Sequence, residues 1–194
     1  MDAYDQIGKR YREVRSPDIG VADIRSCLKD VNPNPDVLDL GCGNGFPIAL
    51  RIFPHAKRYT GVDSSAAMIA EFAENVPGAE AVHASMQDYL AEPDAFDFIF
   101  AFGSLFHLQP DDQIKTIAMV ARALRPGGMF VFTSGENAGE AVGHVAGVEI
   151  PHWSLGERGY ADALQPCGLQ YLGMHRGEGD SIHFKAVKPR MHAS

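Results

Sequence analysis

The chain has 194 residues, with 17 Lys and Arg against 25 Asp and Glu, which leaves a formal net charge of −8. Its hydrophobic fraction of 45% and charged fraction of 22% are those of a globular protein that buries a core without disulfides or metals. This composition excludes intrinsic disorder, collagen-like repeats and small disulfide-stapled scaffolds. The acidic balance disfavours nucleic acid as a partner, because no run of five or more Lys or Arg offers a basic stripe for phosphates.

The few cysteines and the absence of long apolar runs indicate in which cellular compartment the protein occurs. Cys27, Cys42 and Cys167 form no CxxC pair, so we expect neither a disulfide framework nor a zinc site. The polar N-terminal segment lacks the apolar stretch of a signal peptide, and no apolar run approaches the ~20 residues that span a bilayer. We therefore expect a cytoplasmic protein that binds no membrane.

The first two thirds of the chain alternate short apolar runs, rich in β-branched and aromatic residues, with longer stretches of helical periodicity. In chain order these predict a helical segment of 30 residues, a break at Asn32–Pro35, strand 37–40, helix 46–53, strand 59–63, a helix from Ser64 or Ser65 to about Asn75, strands 80–84 and 96–102, helix 111–124 and strand 129–134. Pro54 and the RPGG segment should end the helices that precede them.

Helices between successive strands predict parallel βαβ units and therefore an α/β fold with an open, doubly wound sheet. In such sheets, ligands bind beyond the carboxyl ends of the strands. After Ser134 the rhythm changes to a glycine-rich stretch at 135–147, a helix near 156–165 and two strands, 169–175 and 181–188, around a turn at 177–180. We expect this ending to form an antiparallel hairpin on the sheet edge, which gives a mostly parallel sheet of seven strands.

The strongest local signal is the segment Asp39-Leu40-Gly41-Cys42-Gly43-Asn44-Gly45, where the first strand must turn into a helix. Its glycines allow positive φ and let the backbone approach a ligand without a Cβ in the way. Asp63 ends the second strand, 22 residues after Gly41, where a carboxylate can accept hydrogen bonds from both hydroxyls of a ribose. A simple tight turn and a helix N-cap are the alternative roles for the loop and for Asp63.

These segments resemble the class I S-adenosylmethionine-dependent methyltransferases of the small-molecule type. VLDLGCGNG is similar to their first motif, YTGVDSS to the acidic motif of the second strand, HASMQDY to the adenine-side segment, FDFIFAFGSLFHL to the fourth-strand motif, and LRPGG to the turn before strand five. The resemblance spans roughly residues 1–135 in the right order and spacing. It implies a Rossmann-like fold, with S-adenosylmethionine as cofactor and S-adenosylhomocysteine as product.

The resemblance also implies which residues bind the cofactor. They are Tyr11, Asp39, Gly41, Cys42, Gly43, Asp63, Ser64, Met68, Ser85, Met86, Gln87, Ala101, Phe102 and Gly103. The residues 41–43 would lie under the methionine portion, Asp39 near its amino group, Asp63 on the ribose and Met68 beneath the adenosine. Ser85 and Met86 would flank the adenine, and because Ser85 replaces the Asp of many relatives, Gln87 or Asp88 would take over its contact with the adenine amino group.

The resemblance implies the residues around the methyl acceptor less directly. Tyr4 or Arg15 would line the entrance from an N-terminal cap helix, for which an ordinary packing helix is the alternative. The fourth strand ends in Phe102-Gly103-Ser104-Leu105 and lacks the Asn/Asp-Pro-Pro-Tyr-like turn of relatives that methylate nucleobase amines or glutamine. This difference and the acidic balance favour a small-molecule acceptor over nucleic acid.

Histidines are the candidate general bases, because imidazole titrates near neutral pH. His107 follows the fourth strand, and His152 stands beside Trp153 in the segment after strand five. Structural packing is the alternative role for His107, while His144 and Trp153 are candidate acceptor contacts. The histidine spacing shows no metal-ligand pattern, so we expect no metal.

The sequence therefore predicts one methyltransferase domain over 1–194, with a helical cap at 1–34, a cofactor-binding core at 35–134, a substrate lid at 135–155 and a C-terminal helix and hairpin at 156–194. It would pass a methyl group by in-line displacement to an O or N atom of a small, planar metabolite. The alternatives are an NAD(P)-dependent oxidoreductase of Rossmann type and an S-adenosylmethionine-binding protein without catalytic activity.

Overall fold

The computed structural model describes residues 3–7, 10–177 and 181–190. In these ranges the helices are α1 (Ala3–Ile7), α2 (Arg10–Val14), α3 (Val21–Leu28), α4 (Ile48–Ile52), α5 (Ala66–Asn75), α6 (Pro110–Ala123) and α7 (Gly156–Leu164). The strands are β1 (Asp36–Leu40), β2 (Arg58–Asp63), β3 (Glu80–His83), β4 (Phe96–Ala101), β5 (Leu124–Thr133), β6 (Ala138–Val145), β7 (Val148–Leu155), β8 (Gln170–Arg176) and β9 (Ile182–Val187). None of these helices is long and apolar enough to cross a bilayer.

Seven strands form one sheet in the order β3-β2-β1-β4-β5-β9-β8. The pairings among the first five are parallel, whereas β9 pairs antiparallel with both β5 and β8. The predicted α/β sheet with a C-terminal antiparallel hairpin is therefore confirmed; residues 178–180 of its predicted turn lie outside the described ranges. The chain leaves β1 on one side towards β2 and returns to β4 on the other, and such a switch point opens a crevice at the carboxyl ends of these strands.

The central strands β1 and β4 are buried on both faces, as apolar parallel strands require. Val37 of β1 packs in a cluster with Ile24 of α3 and Phe72 of α5, on one face. Its neighbour Leu38 packs in a second cluster with Ile117 of α6, on the other face. The alternation of side chains along the strand thus gives each face its own apolar core, with α3, α4 and α5 on one side and α6 and α7 on the other.

Strand β5 begins at Leu124, directly after α6, and not at residue 129 as predicted. The RPGG segment ends the helix as expected but continues as irregular strand. Its register against β4 shifts between Phe96 and Phe98, and the Gly127 N–H donates to the carbonyl of Lys188 at 2.7 Å. An apolar pattern indicates only the regular part of such a strand, because a bulge breaks the alternation.

The described part of the N-terminal segment contains three short helices, and a turn at 15–20 separates α2 from α3. Gly20, just before α3, has a φ of 73°, and a Cβ there would lie 2.5 Å from the ring of Phe102. Only glycine therefore permits this close approach. The approach holds the start of α3 against the end of β4, beside the crevice.

The predicted lid, 135–155, contains the antiparallel hairpin β6–β7, for which the sequence pattern predicted no strands. Its turn residues, Ala146 and Gly147, have φ values of 50° and 81°. Positive φ at both central residues is the two-residue hairpin geometry that matches strand twist. On β7, Ile150 is buried in a small cluster with Ile7 and Met68, so the hairpin packs over the crevice together with α1.

Candidate functional site

A cavity of about 390 Å³ lies where β1, β2, β3 and β4 end. Its lining residues are Tyr4, Gly41, Gly43, Val62, Asp63, Ser64, Ser85, Met86, Gln87, Gly103, Ser104, His107, Leu108, Ile150 and Pro151. The strand ends form its floor, while α1 and β7 contribute Tyr4, Ile150 and Pro151. This volume falls within the range of small-molecule sites, and its position is that of ligands in open α/β sheets.

The glycine loop, residues 41–45, contributes backbone without side chains to the wall of this cavity at Gly41 and Gly43. Gly41 and Gly43 have φ values of 78° and 54°, and a Cβ on Gly41 would lie 2.2 Å from the Cβ of Ser104. The loop is tied down on two sides, since the Gly41 N–H donates to the Val62 carbonyl at 2.7 Å and the Ser104 hydroxyl donates to the Leu40 carbonyl at 2.6 Å. The turn is therefore fixed in a form that only glycine at 41 permits.

Asp63 joins this loop to the start of α5. Its carboxylate accepts the Gly43 N–H at 2.8 Å and the Ser65 N–H at 2.9 Å. The N-cap of α5 is Ser65, whose hydroxyl accepts the Met68 N–H at 3.2 Å. Asp63 is thus not the N-cap, and it lies on the cavity wall, where each carboxylate oxygen has the capacity for more than one hydrogen bond.

Asp39 lies behind the loop and does not line the cavity. Its carboxyl group is buried and accepts a hydrogen bond from the Tyr59 hydroxyl at 2.7 Å. Burial raises the pKa of Asp39 to about 7, with repulsion from Asp63 adding to the rise and the Tyr59 hydrogen bond opposing it. Any contact between Asp39 and a cofactor's amino group would therefore be indirect.

Several other predicted cofactor residues are buried in the core instead of on the cavity wall. Cys42 and Phe102 belong to the cluster on one sheet face, Ala101 to the cluster on the other, and Met68 packs with Ile7. Strand alternation turns the side chains of Cys42, Ala101 and Phe102 towards the two faces of the sheet, whereas Met68 on α5 packs between Ile7 and Ile150. The side chain of Tyr11 lies outside the described residues.

The predicted adenine-side residues do line the cavity. The Ser85 hydroxyl donates to the Asp88 carboxylate at 2.6 Å, so these two side chains act as a pair. The Gln87 side-chain oxygen is buried and has no hydrogen-bond partner among the residues that the structure describes. A buried acceptor without a donor is costly. A ligand with an amino group in this part of the cavity would satisfy it.

Next to the cavity, three rings form a cluster, which we call the ring layer: Phe106, His107 and His152. Their centroids lie 4.5 Å (Phe106–His107), 4.6 Å (Phe106–His152) and 4.9 Å (His107–His152) apart. His107 lines the cavity, and its Nε2 is hydrogen-bonded to the Tyr4 hydroxyl at 2.9 Å. His152 lies one layer further away, and burial lowers the pKa of His152, so its imidazole is neutral near pH 7.

A second cavity, of about 380 Å³, lies on the other side of the ring layer. It is lined by Phe106, Ser134, Gly135, Asn137, Ala138, Gly139, Glu140, Ala141, His152, Trp153 and Ser154. His152 and Trp153 are thus brought together, but at this second cavity and not at the first.

The two remaining predicted acceptor residues line neither cavity. His144 faces Glu149 at 3.4 Å near the exposed end of the hairpin. Arg15 stands at the edge of the first cavity, with a guanidinium nitrogen 3.0 Å from where a Cβ on Gly103 would be. No cluster of three or more potential metal ligands occurs within the described part of the chain.

The sequence pattern missed Val62, Ser104, Leu108, Ile150 and Pro151 of the cavity wall. Ser104 carried a usable signal, because it directly follows a glycine at the end of a buried strand, where side chains face the crevice. Ile150 and Pro151 carried none, since they reach the cavity only through the fold of the hairpin over the sheet.

Residues 37–128 match a protein family described as a methyltransferase domain. Trans-aconitate 2-methyltransferase of Paracidovorax citrulli is 37% identical to the chain over 108 residues, which are 54% of this chain and 40% of that protein. The chain thus matches well under half the length of this curated relative. The family match ends at residue 128, before the β6–β7 hairpin.

Solved structures share the whole architecture at low sequence identity. The CcbJ methyltransferase from Streptomyces caelestis has a TM-score of 0.79 at 16% identity, with 97% of this chain and 100% of that chain covered. The 1,6-didemethyltoxoflavin-N1-methyltransferase of Burkholderia thailandensis, solved with 1,6-didemethyltoxoflavin and S-adenosylhomocysteine, has a TM-score of 0.66 at 21% identity, with 88% and 76% covered. These likenesses establish the fold.

Proposed function

We propose that the chain, whose residues 37–128 match a methyltransferase domain, is a class I S-adenosylmethionine-dependent methyltransferase that methylates an O or N atom of a small, planar molecule. The observation that carries the proposal is the cavity at the carboxyl ends of β1 to β4. There, side-chain-free backbone at Gly41, the carboxylate of Asp63 and the side chain of Gln87 line one ligand-sized space.

In this proposal the first cavity holds S-adenosylmethionine. The backbone of Gly41 and Gly43 lies against the methionine portion, Asp63 accepts hydrogen bonds from the ribose, and Gln87 accepts one from the adenine amino group. The side chain of Met86 offers an apolar surface to the adenine ring. When bound, S-adenosylmethionine supplies an electrophilic methyl group on a sulfonium and leaves as S-adenosylhomocysteine.

The protein's own contribution to catalysis is mainly positioning. Holding a nucleophile in line at attack distance in a dry site is worth up to about 7–11 kcal/mol. His107 is the better placed general base, because it lines the first cavity whereas His152 lies behind it. An acceptor O–H or N–H would give its proton to the His107 imidazole, which the Tyr4 hydroxyl orients at 2.9 Å.

The same proposal divides the chain by role. The cap at 1–34 and the lid at 135–155 cover a cofactor-binding core at 35–134, and the C-terminal part at 156–194 completes the sheet. The partner is a small-molecule acceptor and not a nucleic acid, since the chain is acidic and lacks a basic run.

Calorimetric titration with S-adenosylhomocysteine and with NAD tests the cofactor. We expect S-adenosylhomocysteine to bind and NAD not to bind. Asp63→Ala should weaken S-adenosylhomocysteine binding by about 1–3 kcal/mol, the value of a hydrogen bond to a charged group. Asp162→Ala removes the same charge from an exposed position of α7 and should leave binding unchanged. Binding of NAD instead would favour the oxidoreductase.

Turnover tests the enzyme against the non-catalytic alternative. S-adenosylmethionine labelled in the methyl group is incubated with polycarboxylates that include trans-aconitate, with phenols and with nitrogen heterocycles. We expect label in one small-molecule product and an equal amount of S-adenosylhomocysteine. Binding of S-adenosylhomocysteine without transfer to any acceptor class would favour a binding protein.

A further inference from the structure

The ring layer lies between the second cavity and the proposed cofactor site. His107 lines the first cavity, while Phe106 and His152 line the second. The Nε2 atom of His152 is buried and makes no hydrogen bond to any residue that the structure describes. An acceptor bound in the second cavity would reach the first cavity where the His152 ring turns aside, and no hydrogen bond from its Nε2 to a described residue opposes that movement.

The hairpin wall of the second cavity is made of small side chains. The register pairs Ala141 with His152 and Gly139 with Ser154. Directly paired residues of antiparallel strands face the same side, so these four line one face of the hairpin. The His152 ring lies flat over Gly143, where a Cβ would come within 2.4 Å of it. Small side chains leave room beside an aromatic ring, which is the shape that a planar ring fills.

The same cavity offers nothing to balance a negative charge. None of its described lining residues is Lys or Arg, and Glu140, its one charged residue, pairs with Trp153 on the opposite face of the hairpin from His152. Its two serine hydroxyls are already engaged: Ser134 with Tyr160 at 2.6 Å, and Ser154 as donor to the Gly135 carbonyl at 2.7 Å. A carboxylate here would find no Lys or Arg among the described lining residues, whereas a neutral ring could stack on Phe106 or Trp153.

We propose that the second cavity binds the body of the methyl acceptor, and that this acceptor is an uncharged, planar ring compound and not a polycarboxylate. The inference rests on the function proposed above. The acceptor's oxygen or nitrogen bonds to the methyl carbon as the S–C bond breaks, with the electron pair staying on sulfur and the proton passing to His107. The named relatives act on trans-aconitate, but the family match of this chain ends at residue 128, before the hairpin that forms this cavity.

The test uses neighbouring residues on opposite faces of β6. Ala141→Leu fills the second cavity, whereas Val142→Leu adds bulk to the other face, where Val142 is exposed. Indole, indole-3-acetate and trans-aconitate are titrated into the full chain saturated with S-adenosylhomocysteine. We expect indole to bind at least about 10-fold more tightly than either anion, and Ala141→Leu to weaken indole by about 10-fold or more while Val142→Leu has no effect.

Each contrary result overturns the inference: an anion that binds as tightly as indole, indole binding that Ala141→Leu leaves unchanged, or no binding of any of the three molecules. S-adenosylhomocysteine affinity, measured first on every variant, keeps the two proposals apart. If the wild type does not bind S-adenosylhomocysteine, the proposed function fails; if all variants bind it equally, the indole data report on the second cavity alone. Ala141→Val replaces Ala141→Leu if circular dichroism shows that the larger residue prevents folding.

Discussion

The buried carboxyl of Asp39 makes the stability of the protein depend on pH in an unusual direction. Asp39 lies on β1 behind the glycine loop, with the Tyr59 hydroxyl as its hydrogen-bond donor. Burial raises the pKa of this carboxyl from 3.8 to about 7. At neutral pH and above, the folded state therefore holds a charge that would be better solvated in the unfolded chain.

Asp39→Asn removes this charge but keeps a carbonyl oxygen that can accept the Tyr59 hydrogen bond. The difference between 3.8 and about 7 corresponds to about 4 kcal/mol of unfolding free energy at a pH well above 7. Because the pKa is raised on folding, the wild type loses this stability as the pH rises from about 4 through 7, and the variant does not. We expect Asp39→Asn to lie within about 1 kcal/mol of the wild type near pH 4.5 and to exceed it by up to about 4 kcal/mol at pH 8.5.

Urea unfolding followed by circular dichroism at pH 4.5, 7 and 8.5 measures this difference. Tyr59→Phe is the opposing variant, because losing the hydrogen bond that lowers the pKa of Asp39 should destabilise the chain most at pH 8.5. A difference between Asp39→Asn and wild type that stays the same at all three pH values would refute the reasoning. So would a variant that is less stable than the wild type at pH 8.5.

Three further changes have expected outcomes. Gly41→Ala should abolish S-adenosylhomocysteine binding in calorimetry and destabilise the chain by about 2 kcal/mol or more, because it forces a positive φ on alanine and a 2.2 Å contact with the Cβ of Ser104. Tyr160→Phe should cost about 1–3 kcal/mol in urea unfolding, since the Tyr160 hydroxyl is hydrogen-bonded to Ser134 at 2.6 Å and donates to Gln113 at 2.7 Å in a buried network. Burial lowers the pKa of His183, so stability should fall as the pH drops below about 6.5, and His183→Gln should reduce that fall between pH 7 and 5.

Each of these has a result that contradicts it. Unchanged S-adenosylhomocysteine affinity in Gly41→Ala would remove the loop from the cofactor site. A Tyr160→Phe variant as stable as the wild type would mean that the buried network contributes nothing net. Identical pH profiles for His183→Gln and wild type would show that His183 titrates alike in the folded and unfolded states.

The local sequence pattern was enough to predict the strands of the main sheet and part of the candidate site. Short apolar runs separated by helical periodicity predicted β1 to β5 and the C-terminal pair β8 and β9. The signal is clearest for β1 and β4, because a strand buried on both faces must be apolar throughout. The glycine loop and Asp63 were also readable, since positive φ at Gly41 and a carboxylate at the end of β2 are properties of the residues themselves.

Tertiary structure decided which side chains reach the cavity. Asp39 and Cys42 stand in the same loop segment as Gly41, yet the pleat turns both side chains into the core. The β6–β7 hairpin, with Ile150 over one cavity and His152 at the other, left almost no trace in the sequence. Its glycines obscure the period of two, and its position depends on packing against α1 and α5, which are distant in the chain. Local residue preferences determined the strands and the turn, whereas the shape and charge of the acceptor's surroundings arise only when separate elements pack together.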